Sequence, residues 1–246
     1  MSNSPLIAYT KLSPNKTSPR NHRIDTISIH CMAGDLSVES CGAMFAKPSR
    51  KASSNYGIGS DGRIALYVDE SDRSWCTSSK SNDNRAITIE VANNGGAPDW
   101  PVSDAAYNSL IALLVDICQR NGIRKLLWKG DKSLIGQVDK QNMTVHRWFA
   151  AKACPGDYLY NRHSAIAEAV NKRLEDDNMT QEQFNTMMEA YLRERGSLPP
   201  SDWSKDARAW AEAKDLIEGD EKGDKQYQNF VTREQMCTFL KRFAEI

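Results

Sequence analysis

The chain has 246 residues, with 32 basic and 32 acidic side chains, 40% hydrophobic and 26% charged residues. This is a soluble globular profile with room for one medium domain and a small one. No apolar run approaches the ~18 residues of a membrane span, and the six scattered cysteines are not spaced as a secreted disulfide scaffold. The zero charge balance hides an asymmetry: residues 1–175 hold 22 basic and 17 acidic side chains, and the remainder hold 10 and 15. A moderately basic front half suits a polyanionic surface, but neither half is basic enough for nucleic acid.

Residues 1–23 are rich in Pro, Ser, Asn and Lys and predict an extended arm. They have no apolar segment after a basic start, so they do not read as a signal peptide. Residues 24–30 alternate and are β-branched, a strand that delivers His30 to its end. Ser37 to Ala46 reads as a helix capped by Ser37. Residues 54–68 read as a hairpin turning at Asp61-Gly62. Ala86 to Ala92 is the clearest strand, with Glu90 on the face of Ala86 and Thr88, opposite Ile87, Ile89 and Val91. Ser103 to Asn121 predicts an amphipathic helix with Ser103 as N-cap, Gly122 as stop and Cys118 as plain core. Pro155 opens a further helix running to about Leu174. The polar break 175–178 marks a domain boundary. Beyond it, helices are predicted over Thr180–Arg195, Trp203–Ile217 and Val231–Phe243, with 196–201 as a linker. Thr180 and Thr232 are the expected caps of the first and third.

The segment Val145–Gly156, VHRWFAAKACPG, concentrates the chemistry. His146 and Cys154 stand eight positions apart, and a turn between them lets both meet one metal. His30 is the best third ligand. Two His and one Cys leave the fourth tetrahedral position of a zinc ion open, as a catalytic site requires. Lys152 is a candidate oxyanion donor and Glu90 a candidate general base, which completes a set for amide hydrolysis. Each residue also has a plainer reading: a satisfied core or surface His, a buried filler Cys, a salt-bridged surface Glu.

Taken together, ISIHCMAG, SSNYGIGSDGRIALYVDES, DRSW, AITIEVANN and HRWFAAKACPG resemble the zinc-dependent N-acetylmuramoyl-L-alanine amidases, the type shared by phage lysozyme-amidases and peptidoglycan-recognition proteins. The resemblance covers about residues 20–175 and is strongest to endolysins of clostridia and their phages. It implies one zinc on His30, His146 and Cys154, assistance by Lys152 and an acid/base role for Glu90. It further implies an α/β fold: a mixed central β-sheet flanked by helices with a zinc cleft at one edge. Many relatives have Trp-His-Ala where this chain has Trp75-Cys76-Thr77, so Cys76 either approaches the site or fills space. Some relatives carry a catalytic Tyr seven positions before the Asp-Gly turn. Here that position is Ser54, and Tyr56 is left to line the cleft or stack on substrate.

The residues from Trp203 onward resemble a single S-layer-homology repeat through Trp210, the turn at Gly219, Asp220 and Gly223, and Val231–Glu234 opening a helix. The expected layout is a catalytic domain over 1–175 and a small helical module over 176–246, which binds a secondary wall polymer or forms a homodimer. Trp203, Trp210, Phe230, Phe239 and Phe243 are its expected packing anchors. Peptidoglycan is the expected substrate. No nucleic acid or membrane partner is expected. The protein is expected to be made in the cytoplasm and to reach the wall after holin-mediated release. The rival readings are a non-catalytic peptidoglycan recogniser and a cytoplasmic muropeptide-recycling amidase.

Overall fold

Strand alternation gives the central sheet one apolar and one polar face. In the computed structural model, which describes residues 2–176, 180–220 and 223–246 with the side chain of 176 excepted, the strands are β1 (Tyr9–Thr10), β2 (Lys16–Thr17), β3 (Thr26–Cys31), β4 (Tyr56–Ile58), β5 (Ile64–Leu66), β6 (Arg73–Ser74), β7 (Ala86–Val91) and β8 (Met143–Thr144). Six of them form one mixed sheet in the order β1-β5-β4-β7-β3-β8, and β2 pairs with β6 in a small antiparallel ribbon. Within the main sheet β4 and β5 are the antiparallel hairpin, while β4–β7, β7–β3 and β3–β8 run parallel.

Seven helices are found among the described residues: α1 (Val38–Phe45), α2 (Lys80–Arg85), α3 (Asp104–Asn121), α4 (Gly156–Asp176), α5 (Gln181–Ser197), α6 (Lys205–Ala213) and α7 (Arg233–Ala244). The isoleucines Ile27, Ile29, Ile87 and Ile89 are fully buried in one cluster with Leu110, Leu114 and Ile117 of α3 and Leu159, Ile166 and Val170 of α4. Each such side chain contributes about 1.5–3 kcal/mol on burial. Cys118 lies in the same cluster. A smaller cluster joins Val38, Cys41 and Phe45 of α1 to Ala65 and Tyr67. Helices therefore flank a mixed sheet.

The caps follow local chemistry. The hydroxyls of Ser37, Ser103, Thr180 and Thr232 each accept a backbone N–H in the first turn of the helix they open, and both threonines complete a capping box. These bonds satisfy donors that the first turn leaves without intrahelical partners. Gly122 ends α3 at φ +67°, where a side chain would be strained.

The N-terminal segment is no free arm. Residues 9–10 and 16–17 enter the two sheets. Ser13 Oγ and Asn15 Nδ2 donate to the Phe45 carbonyl. Buried Arg20 donates to the carbonyls of Glu70, Asp72, Asn84 and Ala86. Polar side chains fasten much of this stretch, and Ile7 and Tyr9 pack against the two apolar clusters.

The chain divides into two compact units, Met1–Asn178 and Met179–Ile246. The polar break expected at 175–178 lies partly outside the described residues, and α4 runs through 175. In the second unit α6 stops at Ala213 rather than Ile217, and a short 3-10 turn, Asp202–Ser204, carries Trp203. Of the expected anchors only Phe239 is half-buried. Trp203 is 88% exposed, and Trp210, Phe230 and Phe243 are exposed as well; Trp210 and Phe243 meet edge to face at 6.3 Å. Helices this short and polar have too little apolar surface to enclose large aromatics. The turn expected around 219–223 includes two positions outside the described residues.

Candidate metal centre

The polar face of the sheet is where the candidate residues meet. In the parallel register of β3 with β7, Ser28 lies opposite Thr88 and His30 opposite Glu90. Period-two alternation therefore puts these four side chains on one face while the isoleucines fill the other. His30 is fully buried. After β8, a 3-10 turn (His146–Trp148) presents His146, and the chain returns so that Arg147 N–H donates to the Cys154 carbonyl. The return is closed by Gly156 at φ +80°, where a Cβ would lie 2.8 Å from the Asp99 carbonyl oxygen. Any other residue would have to displace the 94–101 loop, whose Pro98 and Asp99 carbonyls accept the N–H groups of Asp157 and Tyr158.

One ligand atom each from His30, His146 and Cys154 lie within 4.8 Å of one another. Cys154 Sγ is 3.3 Å from His30 Nδ1, and the two imidazoles are 5.2 Å apart between centroids. Ser28 Oγ is 3.2 Å from His30 Nε2, the nitrogen of that ring other than the one beside Cys154, and Ser78 Oγ is 3.2 Å from His146 Nε2. One nitrogen from each imidazole and the sulfur make a two-nitrogen, one-sulfur donor set of the kind zinc takes. The residues present therefore fit a metal ion.

Burial dominates the electrostatics of both imidazoles and of Glu90. Burial, helped by His146 and His163, pulls His30 down to about 3. Burial and the Lys152 ammonium lower His146. Cys154 is held well above the usual thiol range by Cys31, by burial and by Glu90. Burial pushes the Glu90 carboxyl up to about 8, partly offset by a hydrogen bond from Cys76 and by Arg50. Glu90 Oε1 stands 4.0 Å from His30 Nδ1, and its Oε2 is buried with no hydrogen-bond partner among the described residues. Lys152 is exposed and, among the described residues, makes no side-chain bond to the ligand group, although its charge lowers His146.

Cys76 comes to the site: its thiol donates to Glu90 Oε1 at 3.8 Å, and with His30 and Glu90 it forms a second, overlapping group of possible ligands. Tyr56 does not. It is fully buried, its hydroxyl donating to Glu70 Oε1 at 2.6 Å and accepting from Ser4 N–H. Arg120 grips both oxygens of that same Glu70. Tyr56 is thus a structural strut, and neither lines a cleft nor stacks on a ligand.

Over residues 20–157 the sequence matches the family described as N-acetylmuramoyl-L-alanine amidase. The chain belongs to this amidase family. The matched span includes every residue of both ligand groups. Among solved structures, the amidase fold is shared with Staphylococcus aureus hydrolase AmiA in complex with its ligand, at 17% identity and TM-score 0.52, covering 71% of this chain and 85% of that one. An AmpD derivative is similar at 20% identity and TM-score 0.49, covering 67% and 96%. The endolysin amidase LysCS from Clostridium intestinale URNW is similar at 16% and 0.46, covering 67% and 97%. No curated protein matches.

Three site residues escape a reading of the sequence. Ser28 is two positions before His30 on one strand face, so the alternation that places His30 also signals Ser28. Ser78 sits at φ +65° in a loop. Asp83 holds that loop by accepting from Cys76 N–H, Thr77 N–H and Thr77 Oγ1. Neither of the last two carries a periodic or spacing signal.

Proposed function

We propose that this chain is a zinc-dependent peptidoglycan hydrolase. It cuts the amide between the lactyl group of N-acetylmuramic acid and L-alanine of the stem peptide, and acts as an endolysin. The observation that carries the reading is the convergence of His30 Nδ1, His146 and Cys154 Sγ beside the partnerless Glu90 Oε2, in a chain of the amidase family.

His30, His146 and Cys154 would hold one zinc ion, which when bound polarises the scissile carbonyl and lowers the pKa of water. Glu90, raised into the neutral range by burial, takes a proton from the attacking water and returns it to the leaving amine. Lys152 supplies positive charge to the oxygen that becomes negative. Cys76 keeps one Glu90 oxygen engaged, which leaves the other for proton transfer. The buried His30 excludes water from the floor of the site.

The rival binding-only reading fits less well, because Cys154 completes a ligand set that a recognition protein has no use for. The recycling reading leaves the second unit without a task. In the endolysin reading, that unit holds the enzyme to a secondary wall polymer, with the outward Trp203 and Phe230 available to stack on sugar, and release to the wall is through a holin. The test is digestion of purified walls. The expected products are new free N-terminal L-alanine ends without new reducing sugar ends. New reducing ends would mean a glycosidase and would overturn the assignment.

A further inference from the structure

We infer that Ser28 is a positioning residue that fixes the tautomer of His30 and so aims a single lone pair at the metal position; the inference rests on the metal reading above. A serine hydroxyl has one hydrogen to donate. Ser28 Oγ lies 3.3 Å from the Thr144 carbonyl oxygen and 3.2 Å from His30 Nε2. A carbonyl oxygen only accepts, so the hydroxyl hydrogen goes to Thr144. The contact with the imidazole is then made by His30 Nε2–H donating to Ser28 Oγ. The opposite assignment would set hydroxyl and carbonyl oxygens face to face with no hydrogen between them.

The sheet itself enforces this choice. β8 pairs with β3 with Ser28 opposite Thr144, so the carbonyl that orients the hydroxyl belongs to the backbone ladder. Ser28 and His30 are both fully buried, so water does not compete for either bond. With hydrogen on Nε2, the remaining lone pair of His30 is on Nδ1, the atom 3.3 Å from Cys154 Sγ. A partner on the far nitrogen is the usual means by which a protein sets the orientation and basicity of a ligating imidazole.

The test uses the full chain labelled with 15N-histidine and stripped of metal by a chelator. Long-range proton–nitrogen correlation spectra report the tautomer of each of the four histidines, and loss of signals in His30→Asn identifies those of His30. The expected result is an Nε2–H tautomer for His30 in the unsubstituted chain. In Ser28→Ala, zinc affinity measured by competition with a chelator should fall roughly 10–100-fold, and the His30 tautomer should no longer be uniform. An Nδ1–H tautomer in the unsubstituted chain would overturn the inference. So would a Ser28→Ala chain that binds zinc as tightly as the original. An unsubstituted chain that binds no zinc would instead refute the metal reading, while the tautomer measurement, which needs neither metal nor variant, decides the Ser28 assignment on its own.

Discussion

Ligands and proton carriers occupy one small volume, yet their substitutions separate. Cys154→Ser exchanges a thiolate for a poor hydroxyl ligand and is expected to lose both metal and lysis. Glu90→Gln and Lys152→Ala leave all three ligand atoms in place. Each is expected to retain zinc by elemental analysis while turnover falls by about 10²-fold or more. Full activity in Glu90→Gln would remove that carboxylate from the mechanism. His163 gives a pH prediction on a side chain outside the ligand set. It is fully buried, with Nδ1 against the Leu159 carbonyl and Nε2 without a hydrogen-bond partner among the described residues, and burial lowers it from 6.5 to about 4. The unfolded chain therefore binds a proton that the folded chain refuses between those two values. Stability is full above pH 6.5 and is lost as pH falls toward 4, at up to about 1.4 kcal/mol per pH unit for this one group. His163→Phe should flatten the acid limb of a denaturation-against-pH curve by that slope. An unchanged limb would show that other groups set it.

Elements position the site through register and through one clamped loop. The parallel pairing of β3 with β7 sets His30 beside Glu90, and α2 delivers Asp83 under the 76–79 loop that carries Cys76 and Ser78. Asp83→Ala would leave the Cys76 and Thr77 N–H groups buried without their acceptor, at about 1–3 kcal/mol each. The expected loss is about 2–4 kcal/mol in urea denaturation, with weaker zinc binding because Ser78 leaves His146. A loss under 1 kcal/mol would mean that water replaces the carboxylate. These elements also show what a sequence can carry. The strand of His30, the strand of Glu90, the 104–121 helix and the capping residues all follow from periodicity and short-range chemistry, which depend on neighbours a few positions away. The seat of Tyr56 depends on Glu70, 14 residues on, and on Ser4, 52 residues back. The anchoring of the N-terminal segment depends on polar side chains reaching distant carbonyls. Such contacts leave no period, and a Pro- and Ser-rich stretch held by them reads as a loose arm. The Trp203–Ile217 region reads as one helix because its apolar spacing continues, but Asp215 adopts φ +51°, past the point where α6 has ended.

At the scale of the whole molecule, the two compact units predict a division of labour. Every proposed ligand and proton carrier lies before α4 ends, and the apolar core of the first unit draws on residues from Ile24 to Leu174. A truncated chain ending at Asp176 should therefore fold, bind zinc and keep measurable lysis. The second unit is different in kind. It buries little, and leaves Phe184, Met187, Met188 and Tyr191 of α5 and Met236, Leu240 and Phe243 of α7 exposed. An open groove of about 720 Å³ lined by Tyr227, Phe230, Val231 and Arg242 adds to this surface. Isolated polar helices of this length gain little from their own hydrogen bonds, so exposed apolar side chains in such number favour some partner. Expressed alone, residues 180–246 should sediment with cell walls and stay monomeric by light scattering if the partner is a wall polymer. A segment that ignores walls but self-associates would refute wall anchoring and assign these side chains to a homodimer. In the anchoring case the truncated chain should lyse walls less well at low enzyme concentration and equally well at high concentration, because tethering raises local concentration without altering the chemistry.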